Sequence, residues 1–146
     1  MASDCGVCGQ LHAHPDRMIH EDGAWASYSL GDVPGWLTLA TQVHVKGFAE
    51  LSDTQASSLG RVLRDLCSAL QVAHGASRVQ VIHLGIGSEH AHFGLLALSE
   101  GERSPFKRED LLDAIAGRAD PGAAAASLAA LRQALESKHG PSAGAR

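Results

Sequence analysis

Glu89-His90-Ala91-His92-Phe93-Gly94-Leu95-Leu96-Ala97-Leu98 is the stretch from which the rest of the chain is best read. At its start it alternates strictly. His90, His92 and Gly94 fall on one side, and Ala91, Phe93 and Leu95 on the other. A period of two over this length predicts a half-buried β-strand beginning near Glu89. Same-face neighbours on a strand lie roughly 6.5–7 Å apart, twice the rise per residue. Two imidazoles held that close are poor core material and useful chemistry: one can ligate a metal while the other stays free as base or nucleophile.

The whole sequence bounds what this strand can serve. Its 146 residues suffice for one domain with a core and are too few for two. The hydrophobic fraction of 45% and charged fraction of 19% are those of a soluble globular protein. A net charge of −4 leaves no basic field for nucleic acid, so a nucleotide partner would be small. No apolar run approaches the ~20 residues that span a bilayer, and the amino terminus lacks the pattern of a signal peptide. The expected compartment is therefore the reducing cytoplasm, where paired cysteines favour metal binding over disulfides.

Upstream, Cys5-Gly6-Val7-Cys8-Gly9 sets two thiols three residues apart among glycines, half of a zinc knuckle. His12 and His14 are read as solvated loop. Arg17–His20 and Ala24–Leu30 are expected strands joined across Glu21-Asp22-Gly23. Gly31–Gly35 is a loop, Trp36–Thr41 a strand, and His44 stands just beyond it. Ser52-Asp53-Thr54-Gln55 fits a capping box that opens a helix running to about His74, with Ala56, Leu59, Leu63, Leu66, Leu70 and Ala73 forming its apolar stripe and Gly75 its stop. Cys67 sits beside that stripe as a core residue. Arg78–Leu84 is a strand, and the turn Gly85-Ile86-Gly87-Ser88 joins it to the histidine strand as an antiparallel hairpin. Backbone N–H groups in that turn could face a phosphate. Ser104-Pro105 and Asp120-Pro121 each pair an N-cap with an N1 proline, predicting helices to Gly117 and to His139.

This order resembles the histidine triad (HIT) superfamily, which includes galactose-1-phosphate uridylyltransferase. The similarity spans Cys5 to Leu98 and rests on Pro34-Gly35-Trp36-Leu37-Thr38-Leu39-Ala40-Thr41-Gln42-Val43-His44 and on His90-Ala91-His92-Phe93-Gly94-Leu95-Leu96. It implies an α+β fold: an antiparallel sheet of about five strands, one long packing helix and C-terminal helices. Residues 1–100 would form the domain with its N-terminal zinc knuckle, 101–139 a helical extension, and 140–146 a flexible tail. The chain departs from the family motif at three places. Gly94 stands at the third motif histidine, where uridylyltransferases carry glutamine. Trp36 stands at the histidine after Pro-Gly. Leu96-Ala97-Leu98 replaces the usual Pro-Arg.

By the same resemblance, Cys5, Cys8, His44 and His90 would hold one structural Zn2+, and His92 would be the nucleophile. Chemistry agrees, since two thiolates and two imidazoles close a tetrahedral site. His92 would attack an α-phosphorus to give a covalent nucleotidyl-histidine, with Trp36, Gly85, Gly87, Ser88 and Gly94 as substrate-binding positions. Ser88, Glu89 and His83 lie near enough in sequence to assist, with no role assigned. The implied function is a nucleotide-directed hydrolase or nucleotidyltransferase, with a homodimer as the expected assembly. The alternative is a zinc-stabilised HIT-like nucleotide-binding or regulatory module without catalysis. A redox protein built on Cys-x-x-C is disfavoured because such motifs open a helix, and the sequence places none after Cys8.

Overall fold

The computed structural model describes residues 4–83, 85, 87–103 and 108–140. Short α1 (Gly6–Ala13) and a 3-10 turn (Pro15–Arg17) lead into β1 (Met18–Glu21) and β2 (Trp25–Ser29). After β3 (Trp36–Thr41) and a second 3-10 turn (Phe48–Glu50) comes the long α2 (Asp53–His74). Then follow β4 (Arg78–Ile82), β5 (His92–Leu98), α3 (Arg108–Ala116) and α4 (Pro121–His139). All four strand pairings are antiparallel, and the sheet order is β1-β2-β3-β5-β4. The expected α+β architecture is the one observed.

Local chemistry accounts for the elements. The hydroxyl of Ser52 accepts from the backbone N–H of Gln55, whose side chain accepts from the N–H of Ser52. This reciprocal cap satisfies two otherwise orphaned donors at the start of α2. Gly75, at φ 60°, ends the helix in the left-handed conformation that glycine adopts without a Cβ clash. Asp120 caps α4 through the N–H of Ala123, with Pro121 at its first position. The expected proline at 105 lies outside the described residues.

Alternation along the strands divides the sheet into two faces. Leu37, Leu39, Leu95 and Ala97 pack against Val62, Leu66, Ala69 and Leu70 of α2 and Leu131 and Leu135 of α4. On the other face Val33, Trp36, Leu96 and Leu98 form a smaller cluster with Leu30, Ile82 and Ile115. Every residue of β3 is buried, because it is the central strand and is covered on both sides.

Three sequence-based boundaries are corrected. Arg17 belongs to a 3-10 turn, and the strand starts at Met18. His12 is not in a loop: it lies on a helix that Cys5 caps and that also carries Cys8, while His14 follows the end of that helix. The Cys5 thiol substitutes for the usual capping oxygen by accepting from the Cys8 N–H at 3.5 Å. The histidine strand begins at His92 rather than near Glu89, so His90 lies in the segment before the ladder. Its neighbour Ala91 is instead bridged by Thr41 and Val45 (Thr41 N–H to Ala91 O 3.2 Å, Ala91 N–H to Val45 O 2.8 Å).

α4 is tied to α2 at two points. Buried Asp65 faces Lys138 at 3.0 Å and His139 at 3.7 Å. Toward the C-terminal end of α2, His74 Nε2 lies 2.9 Å from the Ser127 hydroxyl. Burial holds His74 below its ordinary value of 6.5. Between the folded and unfolded pKa values the unfolded chain therefore binds the extra proton, and stability falls as pH drops below about 6.5. His74→Gln is expected to reduce the loss of melting temperature between pH 7 and pH 5. An unchanged slope in thermal melts would refute the assignment.

Candidate functional site

The segment that fails to join β5 at its start builds the site. Cys5 capping α1, Cys8 in its first turn, His44 beyond β3, and His90 before β5 bring one ligand atom each to within 4.8 Å of one another. Cys5 Sγ to His90 Nδ1 is 3.5 Å, Cys8 Sγ to His44 Nδ1 is 3.4 Å, and Cys8 Sγ to His90 Nδ1 is 3.4 Å. A tetrahedral ion bound to sulfur at about 2.3 Å and to nitrogen at about 2.0–2.1 Å holds adjacent S and N donors roughly 3.6 Å apart. The spacing and the donor set thus fit zinc. Position along the sequence could not show this convergence, because the four residues come from three separate segments.

Three imidazoles are fixed by one device, donation from a ring N–H to a backbone carbonyl. His90 Nε2 lies 2.7 Å from the Thr41 carbonyl and 3.0 Å from its hydroxyl, so His90 Nδ1 turns its lone pair toward the thiols. His92 Nδ1 donates to the His90 carbonyl at 2.6 Å, leaving Nε2 as the ring's acceptor. His83 Nδ1 donates to the His92 carbonyl at 2.9 Å. Thr41 is a partner that the sequence reading missed; its only signal was its place at the end of β3, three residues before His44.

The thiols differ electrostatically. Burial raises Cys5, but hydrogen bonds from the Cys8 backbone and the Ser88 hydroxyl outweigh it, and the net shift is downward. Cys8 is raised, by burial first and then by the neighbouring Cys5 thiol. His90 is lowered, mainly by burial, which favours the neutral form a ligand needs.

The substrate-binding positions expected from the sequence fall into separate groups. Gly87 and Ser88 line a cleft of about 380 Å³ beside the tetrad, together with Cys5, His44, Lys46 and Glu89. Ser88 Oγ lies 3.7 Å from Cys5 Sγ. Gly85 (φ 59°) sits against His83, and a Cβ there would stand 3.3 Å from His83 Nε2. Gly94 pairs with Thr38 on β3, on the face that carries His92. Trp36 is 6% exposed, and its ring covers Gly94.

That contact closes position 94 to a side chain. A Cβ at Gly94 would lie 3.0 Å from Trp36 Cη2 and 3.1 Å from Cζ2. Trp36 is itself wedged among Val33, Leu96 and Leu98. Gly94→Ala is expected to cost about 1–3 kcal/mol through overpacking. In a Trp36→Leu background the cost should largely vanish, as for coupled neighbours. Additive losses in a double-mutant cycle of denaturant melts would refute the fit.

Helix α1 also revises one premise of the sequence reading, since Cys5 does sit at a helix N-terminus as redox cysteines do. The two imidazoles against the thiols nevertheless point to a metal.

No protein-family profile and no curated protein matches this sequence. Solved structures do. A zinc-bound histidine triad family protein from Mycobacterium smegmatis is 18% identical, with a TM-score of 0.67 over 93% of this chain and 96% of that one. A hypothetical histidine triad nucleotide-binding protein from Sulfolobus tokodaii is 15% identical, with a TM-score of 0.67 over 91% of this chain and 93% of that one. A uridylyltransferase is 15% identical, with a TM-score of 0.64 over 91% of this chain and 45% of that one. Likeness at such identities is likeness of fold.

Proposed function

We propose that this chain, which has the histidine triad fold, is a nucleotide-directed hydrolase or nucleotidyltransferase that works through a covalent nucleotidyl-histidine at His92. The observation that carries this reading is the hydrogen bond from His92 Nδ1 to the His90 carbonyl at 2.6 Å. It fixes the tautomer in which Nε2 holds a lone pair, and it holds the ring still, the two needs of a nitrogen nucleophile.

In this reading Cys5, Cys8, His44 and His90 hold a structural zinc that ties α1 to the segment leading into β5. With four protein ligands the metal has no open position and supplies rigidity only. His90 then has two jobs, since the residue that faces the thiols also presents the carbonyl that orients His92. Backbone N–H groups at Gly85, Gly87 and Ser88 receive phosphoryl oxygens. Trp36 and Gly94 shape the floor of the pocket, Trp36 as a buried wall and not as a stacking surface. The nucleotide ligand is supported by the fold shared with a nucleotide-binding protein and a uridylyltransferase. The reading includes a homodimer, checked by light scattering.

Incubation with adenosine 5′-phosphoramidate tests it. Release of AMP, with a nucleotidyl adduct mapped to His92 by mass spectrometry, is the expected result. Neither turnover nor adduct would overturn it. The ring of Trp36 over Gly94, where the family motif has a polar side chain, favours one second reading: a zinc-stabilised nucleotide-binding module without catalysis. Thermal stabilisation by AMP in the absence of turnover would select that reading.

A further inference from the structure

A nucleophile alone does not complete phosphoryl transfer from an amine, because the departing nitrogen needs a proton. The motif position that could donate one is Gly94, which has no side chain and is covered by Trp36. Another imidazole stands beside His92. His83, one residue past β4, is exposed, and its ring lies 6.4 Å from that of His92, edge to face, an interplanar angle of 73°. At that separation the rings do not hydrogen-bond each other, and the His83 ring also lies 5.8 Å from Phe93, at the edge of the sheet beside His92.

The ring of His83 is held rather than loose. Nδ1 donates to the His92 carbonyl at 2.9 Å, and Phe48 packs on it with centroids 4.5 Å apart. Phe48 in turn stacks on Phe93 at 5.2 Å. With Nδ1 engaged, Nε2 is the nitrogen free to exchange a proton. It faces Gly85, where any Cβ would come to 3.3 Å, so glycine there keeps the approach to Nε2 open.

Resting on the nucleotidyl-histidine reading, we infer that His83 is the general acid and base of the reaction, supplying from β4 what position 94 lacks. In the first step the lone pair of His92 Nε2 forms a bond to the α-phosphorus. The P–N bond to the leaving amine breaks, and its electron pair takes the proton from His83 Nε2. The amine departs and leaves nucleotidyl-His92 with neutral His83. In the second step water attacks phosphorus while His83 Nε2 accepts its proton. The P–N bond to His92 breaks, its electrons return to Nε2, and a nucleoside monophosphate leaves.

The test compares two probes in single-turnover experiments: an adenosine 5′-phosphoramidate with an alkylamine leaving group, and the p-nitrophenyl ester of AMP, whose leaving group needs no proton. His83→Asn keeps an N–H for the His92 carbonyl but cannot transfer protons. It is expected to slow amine release by about 10²–10⁴-fold, the usual worth of general acid catalysis, while p-nitrophenolate release changes less than about tenfold and zinc content is unchanged. Imidazole added to His83→Ala should restore part of the amidate rate. Equal slowing of both probes would assign His83 a positioning role through His92 and overturn the inference, as would no slowing of either. Wild-type protein inert toward both probes would overturn the nucleotidyl-histidine reading and this inference with it.

Discussion

Cys8→Ser is expected to yield protein without zinc, where the wild type carries about one ion per chain, and to lower the melting temperature by roughly 10–20 °C. The size follows from what the metal joins. Cys5 caps α1 and Cys8 lies on it, and their Sγ atoms stand 3.4–3.5 Å from nitrogens of His44 and His90, on two other segments. Losing a structural ion removes about 3–5 kcal/mol even if part of the binding energy goes to ordering α1. For a domain of this size each kcal/mol is worth about 3–4 °C. Metal analysis and calorimetry with and without a chelator measure both effects. Acid acts in the same direction, since His90 is held below its ordinary value and every ligand must be deprotonated to bind. Metal-free protein melting with the wild type would refute the site.

His92→Ala is the second large effect. Removing a covalent nucleophile should cost about 10⁴-fold or more in turnover of adenosine 5′-phosphoramidate, far beyond what weakened binding produces. Zinc and fold should survive, because the ring of His92 is only part-buried and its side-chain hydrogen bond goes to the His90 carbonyl. Stoichiometric zinc, an unchanged melt and lost turnover together would isolate chemistry from structure. A variant that retains turnover within tenfold of wild type would remove His92 from the mechanism. Retained AMP binding in the inactive variant would show that the nucleotide pocket forms without the nucleophile.

Much of the fold was legible in the sequence because local rules set it. The Ser52–Gln55 capping box, the apolar stripe of α2 and the Asp120-Pro121 start of α4 all act within a few residues, and each stands where the sequence put it. The bounds of β3 at Trp36–Thr41 were readable too, since Leu37 and Leu39 share one face and the Gly/Pro-rich loop 31–35 ends just before Trp36. The resemblance to the histidine triad superfamily also implied Cys5, Cys8, His44 and His90 as a set, which the structure brings together.

Tertiary contacts decided the rest. Alternation extended the histidine strand back to Glu89, but ladder bonds begin at His92, and the residues before it bend so that His90 meets the thiols. The helix at Gly6–Ala13 gave little periodic signal, because only Val7 and Cys8 of its residues are buried and its eight residues show no amphipathic stripe. Thr41 as the partner of His90, the ring of Trp36 over Gly94 and the placing of His83 beside His92 join residues 49, 58 and 9 positions apart. Such pairs depend on sheet register and side-chain packing, and neither composition nor period encodes which ring comes to rest against which.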